Sequence, residues 1–438
     1  MKVLVLAAGR SNRMQPIKDK NFLNFLGKPL IVRQLEFIKD SGFEDIVLVA
    51  GAHNLEAMQT VAADFDANIE VVEQVDLDAG MQGAVLAAKD LIMKEPVLIF
   101  SSNDVIEQKA FEQLKDASSK DDAEAYILGK KMEEYFPGGY LEVGEDGYIT
   151  GIVEKPEPGT EPSDMVNLVA HLYKNTAQLI EYLENATSHS DDLYEIALDK
   201  MMKDGVKMKA ISYDGFWQPI KFPWHVQKVF NYFFEITEKG IADDVSIADN
   251  ATVKGDVIIE SGVKIFEGAI VNGPAYIGKG CIVANNALVR DSHLGENCVI
   301  GYSTEIARSF LGSDVWTHSN YIGDSVIGNN VSFGAGTVTG NLRLDEKEIE
   351  VKIGENKFKT GTNKFGLVTG DDVRAGINTS FMPGIKIGGG SFIGAGITVA
   401  LDIPENSFVR GHNELKISRN NSSANADDRK NIKDNLQK

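Results

Sequence analysis

The stretch Leu6-Ala7-Ala8-Gly9-Arg10-Ser11-Asn12-Arg13-Met14, followed by Lys20, gathers the residue types that hold a phosphate chain. Small side chains and Gly9 let backbone N–H groups approach anionic oxygens. Arg13 adds a planar fork that matches phosphate geometry, and Lys20 adds a compact second cation. The spacing is neither G-x-G-x-x-G nor G-x-x-x-x-G-K-[ST], so the loop is neither a dinucleotide fingerprint nor a Walker loop. Transfer of a phosphoryl or nucleotidyl group rests mainly on positioning and charge neutralisation, which such a loop can supply. Outside that context the same two cations would read as solvated surface charges.

The elements around the loop define its setting. Residues 3–6 form an apolar run that reads as a buried first strand. Residues 46–50, 97–100, 125–128, 166–173 and 208–212 read as further strands, and 30–39, 83–92 and 191–202 as helices. This alternation predicts an α/β domain with a mostly parallel sheet, whose ligands sit outside the carboxyl ends of the strands. Residues 223–238 carry Trp224, Phe230, Tyr232, Phe233 and Phe234, as expected of a bridging helix packed between domains.

From Ile241 the periodicity changes. Ile241, Ile247, Val253, Ile259, Ile265, Val271, Ile277, Val283 and Val289 recur at six-residue steps, with a small or β-branched residue four places after each of the first eight. Neither a helix nor an alternating strand has that period, whereas a hexapeptide β-helix does, with aliphatic residues stacked inward coil on coil. The register resumes at Ile322-Gly323, Ile327-Gly328 and Phe333-Gly334, then at Ile387-Gly388 and Ile393-Gly394. A charged insertion at 341–364 breaks it and is expected as a loop on one face. The polar tail, 420–438, is expected to be disordered or loosely helical.

The 438 residues carry a net charge of −20, which argues against a general nucleic-acid or anionic-membrane surface and requires a local basic site for any phosphate ligand. Two cysteines, Cys281 and Cys298, exclude a disulfide framework and a cysteine zinc cage, and fit a reducing, cytoplasmic setting. No apolar run reaches the ~20 residues of a membrane span.

The stretch from Leu6 to Leu30, with Arg13, Met14, Pro16, Lys20 and Gly27-Lys28-Pro29, resembles the signature of sugar-phosphate nucleotidyltransferases. Gly80-Met81-Gln82-Gly83-Ala84, Asp104, Gly138-Gly139-Tyr140, Glu154-Lys155-Pro156 and Asn167 follow in the order of that family's pattern. The later segment from Thr317 through His318 and Tyr321 to Asn341 resembles the bifunctional enzymes that acetylate glucosamine 1-phosphate and uridylylate the product. The resemblance implies a Rossmann-like nucleotidyltransferase domain at 1–221, a linking helix at 222–240 and a left-handed β-helix at 241–419. It implies nucleotide contacts at Ala8, Gly9, Arg13, Lys20, Gly80, Gln82 and Gly83, with Arg13 and Lys20 catalytic. It places sugar contacts at Gly139, Glu154, Lys155 and Asn167, and Mg2+ at Asp104. On the solenoid it implies His318 as general base, a role that its ordinary pKa of ~6.5 suits. Arg290, Arg308, Tyr321 and Asn341 would hold the acceptor, and Gly376, Ser380, Ala395 and Arg419 would hold acetyl-CoA. A homotrimer is expected, because such solenoids build sites between neighbours.

Two departures keep alternatives open. The family's W-x-D-I-G-x-P, whose acid ligates magnesium, is Trp217-Gln218-Pro219-Ile220-Lys221-Phe222-Pro223 here, and Ala307 stands where the family has a lysine. The leading expectation is UDP-N-acetylglucosamine formation plus N-acetyl transfer. The alternatives are a single-activity pyrophosphorylase with a structural β-helix, and a catalytically impaired nucleotide- or sugar-binding regulator.

Overall fold

The computed structural model describes residues 1–187, 192–411, 416–420, 429–430 and 433. Strand Lys2–Leu6 lies at the centre of a nine-stranded sheet. Val97–Ser101 pairs with it in parallel on one side and Asp45–Ala50 on the other, and Asn68–Glu73 continues beyond. The chain therefore turns back across Lys2–Leu6, which opens a crevice at the carboxyl end of that strand, where α/β sheets bind ligands. The other half of the sheet departs from the parallel expectation. Met165–Tyr173 runs antiparallel to Val97–Ser101, Ala125–Lys131 and Gly139–Val143, and Ile149–Glu154 runs antiparallel to Gly139–Val143. Short apolar runs carry no sign of direction, so this mixture was not readable from them.

Helix Leu30–Asp40 buries Leu30, Ile31, Gln34, Leu35 and Ile38 and ends at Ser41. The helix expected over 83–92 is two pieces, Gly80–Ala87 and Lys89–Ile92, broken at Ala88. The helix expected over 191–202 is Leu193–Lys203; residue 191 lies outside the described residues, as does most of the 420–438 tail.

The solenoid is a left-handed parallel β-helix whose inward residues stack in columns. Ile247, Ile265, Val283 and Ile300 form one column. Val253, Val271, Val289, Ile306 and Ile322 form a second. Ile241, Ile259, Ile277, Leu294, Leu311 and Ile327 form the third. The six-residue step fails after Val289 because one corner is a residue shorter, yet Leu294 still points into the core.

On that third face the strand alternation turns a second set outward: Ile258, Tyr276, His293, Phe310, Val326 and Val368 in successive rungs. All six are buried, because helix Val226–Ile236 and the segment carrying Met14, Ile17, Phe25 and Leu26 cover them. Rings of Tyr276 and His293 stack at 4.8 Å, and those of His293 and Phe310 at 4.2 Å. The Leu26 N–H donates to His293 Nε2 at 3.1 Å. The opposite ring nitrogen, Nδ1, lies 3.1 Å from the Leu311 carbonyl, so the ring is neutral with Nδ1–H donating. Gly27 is needed here, since a Cβ would meet the Tyr276 hydroxyl at 3.0 Å and its φ is +78°.

The charged insertion is not an open loop. It forms the hairpin Glu350–Ile353 and Asn356–Lys359. Ile349 and Val351 enter the interdomain core, and Phe358 packs on Phe222 at 5.0 Å. The alternation of charged and apolar residues in Glu350-Val351-Lys352-Ile353 is a strand signal that the insertion's overall charge concealed.

Burial pushes the His293 pKa down to about 3. The unfolded chain therefore binds a proton at ~6.5 that the folded chain refuses. Stability contributed by the neutral ring is fully present above ~6.5 and is lost as pH falls toward 3, by about 1.4 kcal/mol per pH unit. Urea denaturation of wild type and His293→Phe between pH 7 and pH 5 is expected to show a shallower acid loss in the variant. Identical pH slopes would remove His293 as a source of it.

Candidate functional site

The crevice beside Lys2–Leu6 is a cavity of about 530 Å³. Ala8, Gly9, Arg13, Lys20, Gly80 and Gln82 line it, so the nucleotide residues expected from the sequence converge. Gly83 does not line it and instead packs against Gln74, whose Nε2 would lie 2.9 Å from an added Cβ. Gln74 was missed by sequence reasoning, although a glutamine directly after strand Asn68–Glu73 sits at the carboxyl end of the sheet. Both hydrogens of its amide go to carbonyls, Asp76 and Gly80 at 2.9 Å, which leaves its carboxamide oxygen as an acceptor at the cavity. One hydrogen of the Gln82 amide goes to the Leu183 carbonyl, which ties helix Gly80–Ala87 to the end of helix Thr176–Asn185.

Ser11 adopts φ 53° and its hydroxyl accepts the Lys20 N–H at 3.3 Å, which closes the loop around Arg13. The Arg13 guanidinium lies over the Phe222 ring at 5.5 Å. Lys20 is buried; burial, then the Arg13 charge, lowers its pKa to about 8, against Asp104 and Asp19.

Asp104 is held from three sides. Gln34 donates to the Ser102 and Asp104 carbonyls at 2.9 and 3.0 Å. Trp217 Nε1–H donates to Asp104 Oδ1 at 2.9 Å. Strand Trp217–Pro219 pairs antiparallel with Asp104–Ile106 and sets Pro219 directly opposite Asp104. Burial raises the Asp104 pKa, opposed by the Trp217 hydrogen bond and the charges of Lys221 and Lys20. Burial likewise lowers that of Lys221. Lys20 and Lys221 line the cavity, whereas Asp104 lies behind its wall.

The sugar-side candidates also meet. Gly139 pairs with Glu154, and a Cβ on Gly139 would stand 3.0 Å from Glu154 Oε2 and 3.5 Å from the Asn167 Cβ. Lys155 turns back at φ 44° to pair with Glu154 at 2.8 Å. Asn167 Oδ1 lies 2.8 Å from His171 Nε2, and His171 Nδ1 lies 2.9 Å from the Tyr194 hydroxyl. Burial pushes the His171 pKa down to about 3, so a neutral ring links Asn167 to Tyr194, which lines the cavity. This relay was not anticipated, because His171 and Tyr194 look like ordinary core residues in sequence.

On the solenoid, Arg290, Arg308, Tyr321 and Asn341 occupy neighbouring rungs. Arg290 pairs with Glu305 at 2.7 Å, and Glu305 lies in register with Tyr321. Arg308 grips Asp324 through two bonds of 2.6 and 2.7 Å. Asn341 donates to the Tyr321 hydroxyl at 3.1 Å and to Asp324. Glu305 and Asp324, given no role in the sequence reading, organise this group. His318 is exposed in the turn before Tyr321, with its backbone N–H on Asn320, and among the described residues its ring has no hydrogen-bond partner. Gly376 and Ala395 stack on adjacent rungs, where a Cβ on Gly376 would meet the Ala395 nitrogen at 2.6 Å. Ser380 lies between Val338 and Thr398 on the neighbouring face. Arg419 is exposed and is not brought to this column by any contact among the described residues.

The nucleotidyl transferase family matches residues 2–220. A bifunctional sugar-1-phosphate nucleotidylyltransferase/acetyltransferase from Sulfurisphaera tokodaii is 33% identical, over 94% of this chain and 100% of that protein. Proteins named bifunctional protein GlmU from Methanococcus maripaludis and Methanocaldococcus jannaschii are 32% and 31% identical, over 96% and 95% of this chain and 99% and 98% of theirs. The chain belongs to the nucleotidyl transferase family, in the bifunctional group that joins a nucleotidyltransferase domain to an acetyltransferase β-helix.

Proposed function

We propose that the N-terminal cavity forms UDP-N-acetylglucosamine and pyrophosphate from UTP and N-acetylglucosamine 1-phosphate, and that the solenoid N-acetylates glucosamine 1-phosphate with acetyl-CoA. The convergence of Ala8, Gly9, Arg13, Lys20, Glu154 and Lys155 on one cavity supports this reading most directly. The sugar phosphate oxygen attacks the α-phosphorus in line, and pyrophosphate leaves. Arg13 and Lys20 take up the negative charge of the triphosphate, while Glu154, Lys155, Asn167 and Gly139 receive the sugar. Gln74 supplies an acceptor for a base N–H.

The resemblance implies Mg2+ at Asp104, but the donors do not fit it. Pro219 brings no side-chain oxygen opposite Asp104, one Asp104 oxygen accepts the Trp217 N–H, and two ammonium groups flank the carboxylate. Among the described residues no three His, Cys, Asp or Glu side chains converge as a metal-binding group. Neutralisation of the leaving pyrophosphate falls to the chain's own cations. The same observation favours one second reading, a nucleotide-binding regulator with weak turnover.

On the solenoid, His318 accepts a proton from the acceptor amine as it attacks the acetyl thioester, and the coenzyme thiol leaves. Arg290, Arg308, Tyr321 and Asn341 surround the sugar phosphate, which must compete with Glu305 and Asp324 for the two guanidinium groups. Acetyl-CoA runs along Gly376, Ser380 and Ala395 toward Arg419. We assign the transferase unit to 1–221, the linker to 222–240 and the acyltransferase unit to 241–419, with the tail at 420–438. A cytoplasmic location matches the substrates, and no described helix is long and apolar enough to cross a membrane. Trp316, Phe392 and Phe408 are exposed on rungs of one solenoid face, in keeping with a homotrimer that covers them and completes the acetyl-CoA site.

Pyrophosphate release, assayed across UTP, dTTP, ATP and GTP with N-acetylglucosamine 1-phosphate or glucose 1-phosphate, is expected to be fastest with UTP and N-acetylglucosamine 1-phosphate. No release with any pair would remove the transfer reaction and leave the regulator. His318→Ala is expected to slow coenzyme A release at least ~10²-fold, the usual contribution of a general base. It should leave pyrophosphate release unchanged; unaltered acetyl transfer would make the β-helix structural. Sedimentation equilibrium should return three times the 47.8 kDa chain mass, and a clean monomer would contradict the shared site.

A further inference from the structure

The arrangement around Asp104 inverts the usual order of carboxylate and cation at a nucleotide site. The carboxylate is buried behind the cavity wall, and the surface presented to a ligand is made by Lys20 and Lys221. Lys221 is held there by its strand: Pro219 opposes Asp104, and the Ile220 N–H donates to the Asn103 carbonyl at 2.7 Å. Its ammonium rests on the Phe136 ring, 4.6 Å from the centroid, which fixes the charge without neutralising it. Phe136 in turn packs edge-on against Trp217 at 4.8 Å, the same Trp217 that donates to Asp104. Two other cavity cations are paired: Arg10 with Asp78 at 2.6 Å and Lys155 with Glu154 at 2.8 Å. Lys20 and Lys221 thus face the cavity together, with Asp104 behind both, Asp19 as a further counter-charge to Lys20 and Glu154 as a further one to Lys221.

We propose that the cavity binds the metal-free triphosphate of a nucleotide, or free pyrophosphate, with Lys221 and Lys20 in the place of a divalent cation and Asp104 behind them as a positioning counter-charge. This rests on the nucleotide-site reading above. A divalent cation chelated by the ligand's phosphates would bring its own charge against these ammonium groups, so magnesium opposes binding here rather than promoting it.

Isothermal titration calorimetry on the full chain tests this, with UTP and then inorganic pyrophosphate titrated in EDTA and in excess magnesium chloride. Affinity in EDTA is expected to equal or exceed that in magnesium for both ligands. Lys221→Gln should weaken binding in EDTA about tenfold, the loss of one charge-assisted bond of about 1.4 kcal/mol, whereas Lys221→Arg should retain it. Pro219→Asp combined with Lys221→Gly should reverse the preference and make UTP binding magnesium-dependent. Wild-type binding that requires magnesium overturns the proposal and leaves the uridylyl-transfer reading standing. Metal-free binding without pyrophosphate release supports the proposal and sinks the transfer reading instead. Should Lys221→Gln melt early, the wild-type comparison of EDTA with magnesium decides alone.

Discussion

A strand turns every second side chain outward, and on one solenoid face those side chains are Ile258, Tyr276, His293, Phe310, Val326 and Val368. Left in water, such a column would be an exposed apolar stripe on an otherwise acidic protein. Helix Val226–Ile236 and the residues that follow the glycine loop cover it, and each large side chain so buried contributes about 1.5–3 kcal/mol. The same cover fixes the elements around the cavity. Met14 and Ile17 lie in this interface, so the loop between Gly9 and Lys20 is anchored on the solenoid at its far end. Helix Leu30–Asp40, which starts in the interface at Leu30, carries Gln34 to the backbone of Asp104. The hairpin adds a second tie, from Phe358 through Phe222 to the Arg13 guanidinium.

The cavity itself is an electrostatic compromise. Burying an ammonium is costly, and both Lys20 and Lys221 have pKa values lowered by burial. Asp104 offsets part of that cost from behind, while its own burial raises its pKa. A phosphate brought to the cavity would offset the burial of both lysines while adding to that of Asp104. On the solenoid the order is reversed: Arg290 and Arg308 are already paired with Glu305 and Asp324, so an anion brought there would have to displace existing bonds. The two sites therefore answer to ligand charge in different ways.

Much of this was legible in the chain. The six-residue period pointed to the β-helix because nothing else buries aliphatic residues at that spacing, and the glycine loop with Arg13 and Lys20 marked residues that line one cavity. Pro219, which departs from the family pattern, stands opposite Asp104. Other features were hidden for physical reasons. Strand direction in the half-sheet around Met165–Tyr173 depends on tertiary pairing that apolar runs do not encode. Gln74, His171 and Tyr194 are polar residues drawn to the cavity or its supporting hydrogen bonds by their neighbours across the sheet and helices, not by local spacing. The outward column was visible in principle, as apolar residues between the inward positions on one face in three, but the period-six count passes over it. The hairpin at 350–359 was masked by its charge.

The central claim is that one chain carries both an acetyl-transfer site and a nucleotidyl-transfer site acting on the same sugar phosphate. Mass spectrometry of the products from glucosamine 1-phosphate, acetyl-CoA and UTP, supplied together with the purified chain, tests it most directly. A single product bearing both the acetyl group and the uridylyl group, with coenzyme A and pyrophosphate released in equal amounts, is the predicted result. Acetylated sugar phosphate with no nucleotide sugar, or nucleotide sugar that never carries the acetyl group, would contradict it.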